Sequence, residues 1–252
     1  MTQNTVYGQQ TIQQPSQVRP NAESWSLPLD HIYNNPSLRL DASHYLPKTN
    51  RVVQEIQNST MPVKRLEEVA DIYLPGHFTR IWAKDPEHGI PYLNATDLMS
   101  LTGIGMLPGQ KRYISLQSKV DIDVLIIKEG WLLISCSGTI GRVFYVPKRL
   151  DGWVATHDLI RVRPHDLRMV GYLHAFLSSD YAQEQMLAHS HGGQIDHITD
   201  AQAASVLVPI PAQTVVDDIH EKTMAALDHR ERAIQDLEHV SLQMRGLLKD
   251  ER

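Results

Sequence analysis

Cys136 is the only cysteine among the 252 residues, and it lies in the stretch LLISCSGTIGRVFYV, Leu132 to Val146. A thiol there, with His157 as its base, would make a nucleophile. Nothing in the sequence fixes the distance between the two, and a lone cysteine in an apolar run is usually a small core residue. The GTIG segment suggests a phosphate loop, yet it lacks the Gly-Lys-Ser/Thr ending and the helix that would come after it. Instead the next residues, RVFYV, alternate and are β-branched or aromatic, so they predict a strand. The stretch is expected to be strand, tight turn, strand, with Gly138 and Gly141 supplying unusual backbone angles. Its amides and hydroxyls remain available to hold a phosphate from outside.

Other chemistries fare no better. NNPS, Asn34–Ser37, lacks the second proline and the aromatic of an amino-methyltransferase motif. The 13 histidines are scattered, with no pair at metal-binding spacing beside a helical carboxylate. The tightest cluster, HSHGG, fits a helix end capped by glycines. Asp121, Asp123 and Lys128 resemble a metal-nuclease strand without its Glu-x-Lys element. A single cysteine rules out an intramolecular disulfide and a multi-cysteine zinc site. No catalytic or metal-ligating residue is assigned, and binding is the natural reading.

The chain is 42% hydrophobic and 21% charged, ordinary for a soluble globular protein. No run approaches the ~18 apolar residues of a membrane helix. The N-terminal MTQNTVYGQQTIQQPSQVRP lacks the order of a signal peptide. A cytoplasmic protein with no membrane partner is expected. Net charge is −5, but residues 76–168 carry 12 basic and 9 acidic groups and form the only positive segment. That segment contains Cys136 and the two glycines, so a nucleic-acid face, if there is one, belongs there.

Several elements must position these residues. Residues 1–24 read as a flexible tail and residues 25–60 as an N-terminal extension with a short helical run, NRVVQEIQN. Residues 61–212 read as one mixed domain. VKRLEEVADIY is expected to open it with a short amphipathic helix. IPYLNATDL, DVLIIKEGWLLISC, GRVFYVP and GWVATHDLIRVRP read as strands, with Gly and Pro punctuation. MVGYLHAFLSSDYAQEQMLAH has helical spacing. A further helix starts at Thr199, an N-cap whose capping box is completed by Gln202. SVLVPIPAQ is a short strand closed by prolines.

Residues 213–252 read as one long helix. Counting sevens aligns Val216, Thr223, Arg230, Leu237 and Met244 in one column, and Ile219, Ala226, Ala233, Val240 and Leu247 in the other. Such columns suit a coiled-coil seam; the alternative is a helix packed on its own domain. At ~1.5 Å per residue the helix would be about 55 Å long. It is expected to project and to need a partner helix, with Arg230 as a polar seam residue beside its symmetry mate.

In this order, VKRLEEVADIYLPGHFTRIW, GIPYLNATDL, LLISCSGTIGRVFYVP, GWVATHDLIRVRP, GYLHAFLSSDYAQEQM, GGQIDHIT and VLVPIPAQTVVDDI resemble a specificity subunit of type I restriction–modification systems. The resemblance runs from about Val63 to Ile219, and RLDASHYLP adds an upstream match. It implies an α+β fold: a target-recognition domain with a twisted, mainly antiparallel sheet plus helices, then one long coiled-coil-type helix. It implies sequence-specific reading of double-stranded DNA at one half of a bipartite site. Family subunits usually have two recognition domains and two helices; this chain has room for one of each, so a half-size subunit is expected. The implied partners are a methylation subunit, possibly a motor-endonuclease subunit, and a second copy or another half-size chain paired through the C-terminal helix. S-adenosylmethionine, ATP and magnesium would belong to the partners, with no cofactor in this chain.

On that reading, Lys111, Arg112, Thr139 and Arg142 are candidates to position phosphates. Arg80, Lys84, Gln194 and His197 are candidates for base or nearby backbone contact. A coiled-coil adaptor that binds protein and a divergent nuclease are the alternatives.

Overall fold

A computed structural model describes Ser26, Leu29, Tyr33 and residues 47–97, 112–118, 121–189 and 197–250. Contacts divide the chain into two units, Met1–Leu40 and Asp41–Arg252. The second holds every element considered below.

Among the described residues, ten short strands form three sheets. β1 (Val63–Arg65) pairs with β10 (Leu207–Pro209). One four-stranded sheet has the order β2 (Ala70–Tyr73), β9 (Leu159–Pro164), β6 (Leu132–Ser135), β7 (Val143–Tyr145), with antiparallel pairs throughout. The other has the order β3 (Trp82–Ala83), β5 (Arg112–Ser115), β4 (Gly89–Leu93), β8 (Val154–Ala155). Its β4–β8 pair is parallel. The helices are α1 (Pro47–Gln57), α2 (Val170–Leu177), α3 (Asp180–His189), α4 (Asp200–Ala204) and α5 (Gln213–Asp250). The fold is therefore α+β, mainly antiparallel, with a long terminal helix.

Two departures from the sequence patterns have clear causes. VKRLEEVADIY is not an amphipathic helix: it is β1, a 3-10 turn and β2. Non-local pairing overrides its helical spacing, since Val63–Arg65 face Pro209–Leu207 and Ala70–Tyr73 face Pro164–Arg161. The Glu68 carboxylate accepts from Arg65 N, closing the turn between them. The helical run after Met169 is two helices, because the Ser179 hydroxyl bonds back to the Phe176 carbonyl and ends α2. The Thr199–Gln202 capping box of α4 is present in both directions.

Alternation along the central strands places Leu132, Ile134, Ile160 and Val162 in a core shared with α2, α3 and the start of α5. Leu133 and Leu159 face the other way, into a second core with Leu93 and Ala155. Arg161, in register with Leu133, points to that same side and is fully buried. Its guanidinium donates to the carbonyls of Thr156, Ala155 and Leu159 at 2.8, 2.7 and 2.5 Å, and to Leu125 at 3.2 Å. It thereby ties β9 of one sheet to β8 of the other.

The long helix corrects an expectation. It does not leave the domain at once. Val216, Leu227 and Ile234 are buried, and Ile219 and Met224 pack on the first core. Arg230 packs on its own domain, its guanidinium 5.9 Å from the Phe144 ring. Glu231 pairs with Arg149. The physical reason is period. The stripe 216, 220, 223, 227, 230, 234 repeats at close to 3.6 residues and suits a straight helix lying on a surface. Columns of seven drift by ~20° per heptad, so Val216, Thr223 and Arg230 meet the domain while later members turn away. Beyond Ile234, Leu237, Val240, Met244 and Leu247 are exposed.

α5 packs tightly on α2 at Gly171. Gly171 N donates to His220 Nδ1 at 3.1 Å, and a Cβ on Gly171 would stand 2.6 Å from the His220 carbonyl oxygen. Gly171→Ala should lower stability by about 1–3 kcal/mol through overpacking. Gly246→Ala, with nothing within 4 Å of its Cβ position, should leave stability unchanged or raise it by up to ~1 kcal/mol. Urea unfolding of the two variants checks the contrast.

Candidate nucleic-acid interface

The segment HFTRIWAK places Phe78, Arg80, Trp82 and Lys84 at alternate positions. In an extended chain, alternate side chains share a face. Trp82 sits on the edge strand β3, opposite Ile114 of β5, while Arg112 of β5 is opposite Tyr92 of β4. The pleat therefore brings cations and rings together. Arg112 lies 5.3 Å from the Trp82 ring, Trp82 meets Tyr92 edge-on at 5.2 Å, and Arg80 lies 5.7 Å from Tyr92 and 6.0 Å from Phe78. Such contacts hold a guanidinium flat while its donors stay free for a ligand.

Arg80 is the most constrained of these cations. Its Nε donates to Tyr92 Oη at 2.8 Å and its Nη2 to Thr156 Oγ1 at 3.3 Å. Asp158 Oδ2 stands 4.0 Å from Nη2 and accepts from the Thr156 hydroxyl at 3.1 Å. Arg80 and Asp158 are each about one-third exposed. Behind them His157 packs edge-on against His77 and Phe78. Burial pulls the His157 imidazole below its ordinary range, more than the neighbouring Asp158 carboxylate raises it.

Thr156 and Asp158 belong to the loop whose carbonyls Arg161 holds. Burial lowers the Arg161 guanidinium to about 10, so it stays protonated at neutral pH. The same loop meets Cys136, whose N donates to the Asp158 carbonyl at 3.3 Å and whose carbonyl accepts from Ile198 N at 3.0 Å. The Arg80 rim, the Cys136 strand end and the Ser137–His197 bridge are thus contiguous. Cys136 itself is buried, and desolvation, then the Asp158 charge, pushes its thiol up to about 11. A buried thiol raised in this way holds little of the thiolate that a nucleophile needs.

The Gly138–Gly141 connection joins β6 to β7, with both glycines at positive φ, 69° and 81°. Two of its amides are already used: Gly141 N donates to the Ser135 carbonyl and Arg142 N to Ser135 Oγ. A phosphate held here would meet Thr139 and Arg142, both exposed, rather than those amides. The turn lies across a cleft from Ser178 and Gln183, and Gln183 Nε2 donates to the Gly141 carbonyl at 2.6 Å.

The structure brings Arg80 and Arg112 onto one rim, with Lys84 just beyond β3. Thr139, Arg142 and His197 lie on the adjoining strand end. Lys111 and Gln194 fall outside the described residues. Among the described cations of the positive segment, Arg149, Arg163 and Arg168 are paired with Glu231, Asp71 and Asp166. Lys84, Arg112 and Arg142 have no carboxylate partner among the described residues. Asp121 and Asp123 are not on a strand: they sit at a 3-10 turn, where Asp121 caps the Asp123 amide. Sequence reasoning overlooked Phe78, Trp82 and Tyr92, although the alternation 78, 80, 82, 84 was a usable signal. Nothing in the sequence pointed to Thr156 or Asp158, which lie 76 and 78 residues from Arg80.

Residues 58–238 match the family described as "Type I restriction modification DNA specificity domain". The chain belongs to that family. No curated protein matches it significantly in sequence. Among solved structures, it is similar to a chain from a study of assembly and conformational transition of the type I R-M system, at 16% identity and TM-score 0.49. That match covers 87% of this chain and 53% of the other. It is similar to the HsdS subunit from Thermoanaerobacter tengcongensis, at 19% identity and TM-score 0.44, over 84% and 50% of the two chains. It also shares its fold with the type IIG restriction endonuclease BpuSI, at 12% identity and TM-score 0.50, over 78% and 30%. The specificity-domain chain thus spans about half or less of these relatives' length. Among the described residues, no helix is long and apolar enough to cross a membrane.

Cys136→Ser should cost about 1–3 kcal/mol, as for a poorly satisfied buried hydroxyl, and should leave DNA selectivity unchanged where the variant is folded. Thermal unfolding and DNA selection measure the two effects. Loss of activity in a well-folded variant would restore a chemical role for the thiol.

Proposed function

We propose that this chain is the DNA-reading subunit of a type I restriction–modification complex and directs a partner methylation subunit to one half of a bipartite site. The observation that carries this reading is the rim of guanidiniums held on aromatic rings, within a chain whose family is DNA specificity domains. Residues 61–212 would form the recognition domain and residues 213–252 the spacing helix. Arg80, Lys84 and Arg112 would enter the groove or its margin. Thr139 and Arg142 would position the backbone, and Lys111, Gln194 and His197 remain candidate contacts. S-adenosylmethionine, ATP and magnesium would act on partner subunits, including a motor-endonuclease subunit where the system restricts.

The exposed stripe Leu237, Val240, Met244 and Leu247 has the 3-4-3 spacing of a helix-pairing seam. Pairing of these projecting ends, between two copies or two half-size chains, would hold two recognition domains apart. Identical copies would then read an inverted-repeat target with a fixed spacer.

Selection from a random duplex library, with the full chain alone and with its methylation subunit, tests the reading. The expected result is two half-sites at one spacing. Val240→Glu combined with Met244→Glu should keep the half-site, lose the fixed spacing and halve the solution mass. Enrichment of no sequence by either preparation would overturn the function. A monomeric wild-type chain that still selects a spaced pair by itself would overturn the pairing.

A further inference from the structure

We propose that Arg80 and Asp158 act as one unit and read a single G·C base pair in the major groove. The inference rests on the DNA-reading function above and names a specificity-determining pair within it.

The geometry gives the order of donors and acceptors. Arg80 has one side of its guanidinium occupied, Nε by Tyr92 Oη and Nη2 by Thr156 Oγ1. Among the described residues Nη1 has no partner. The free end of the fork is therefore Nη1 and the second hydrogen of Nη2, both donors. Asp158 Oδ2 stands 4.0 Å from Nη2, the nitrogen that contributes to the free end. At that distance the two form an ion pair without a direct hydrogen bond, while Oδ2 also accepts from the Thr156 hydroxyl and Oδ1 stands 3.4 Å from His157 Nε2. Together the two residues offer two donors and an acceptor.

A G·C pair presents the complement across the major groove: N7 and O6 of guanine accept, and N4 of cytosine donates. An A·T pair presents acceptor, donor, acceptor, which would set the adenine amino group against an Arg80 donor. The pair thus selects G·C and also fixes which strand carries the guanine. A lone surface arginine could turn to a phosphate instead. Arg80 is restrained by two hydroxyls and flanked by the Phe78 and Tyr92 rings, and fixed orientation is what base reading needs. An acidic residue on a phosphate-facing surface would repel DNA, whereas opposite a cytosine amino group Asp158 has a use. Thr156 links the two, donating to Asp158 and accepting from Arg80. Tyr92 and Thr156 are positioning residues: they orient Arg80 and touch no base.

The test is selection from the same random library with wild type, Arg80→Lys, Asp158→Asn and Tyr92→Phe, each shown to be folded by its unfolding curve. Arg80→Lys keeps the charge and loses the fork. Arg80→Lys and Asp158→Asn should each relax the same single G·C column, by about 10- to 100-fold in preference, with the rest of the motif intact. Tyr92→Phe should weaken that column to a smaller degree. Replacing its guanine by 7-deazaguanine should cost wild type a comparable factor and cost Arg80→Lys nothing further. Relaxation of two different columns, an unchanged motif, or uniform weakening at all positions would overturn the pair. Failure of the wild-type chain to enrich any motif is a separate outcome and would overturn the DNA-reading function itself.

Discussion

A buried cation with no carboxylate partner among the described residues organises this domain. Removing a guanidinium from water costs several kcal/mol, and Arg161 is fully buried. Four backbone carbonyls offset that cost, and they include one from each of the two four-stranded sheets. Charge-assisted bonds of this kind are directional, so they fix where the segment 155–159 runs. That segment then presents Thr156 and Asp158 to Arg80 on one side and a backbone carbonyl to Cys136 on the other. Positive charge therefore has two roles here. One arginine is used inside for architecture, and at the surface Arg112 and Arg142 have no carboxylate partner among the described residues.

The terminal helix shows how one element serves two surfaces. Through Ile234 it is part of the domain, closed against α2 at Gly171 and pinned by the Arg149–Glu231 pair and by Arg230 over Phe144. Past that point its apolar residues face solvent. A helix anchored over about its first six turns is a stiff arm rather than a loose tether. Its far end is thereby held at a defined direction from the Arg80 rim.

Much of this was legible in the sequence where the signal is local. Alternation marked β7, β-branched and aromatic runs between Gly and Pro marked β6 and β9, glycine spacing marked the Gly138–Gly141 connection, and the Thr199 cap marked the start of α4. What was hidden is non-local. Arg161 sits in an alternating strand, LIRVRP, and nothing in that pattern distinguishes a buried arginine from the exposed Arg163 two residues on. VKRLEEVADIY has helical spacing but meets strands about 90 to 145 residues away. The heptad columns of the last helix suggested a pairing seam, yet over their first half the same residues also fit a 3.6-residue stripe, and there the domain surface takes them up. The ordered set of short family-like segments carried the functional reading further than any residue spacing did.

On the proposed function, DNA meets the rim built on the Arg161-held segment. Amide hydrogen exchange of the full chain, with and without its selected duplex, reads this contact. New protection is expected in peptides spanning residues 76–84 and 153–160, with the helix from Gln213 to Ile234 unchanged. Protection confined to that helix or to α1 and α3, with residues 76–84 and 153–160 unaffected, would contradict it.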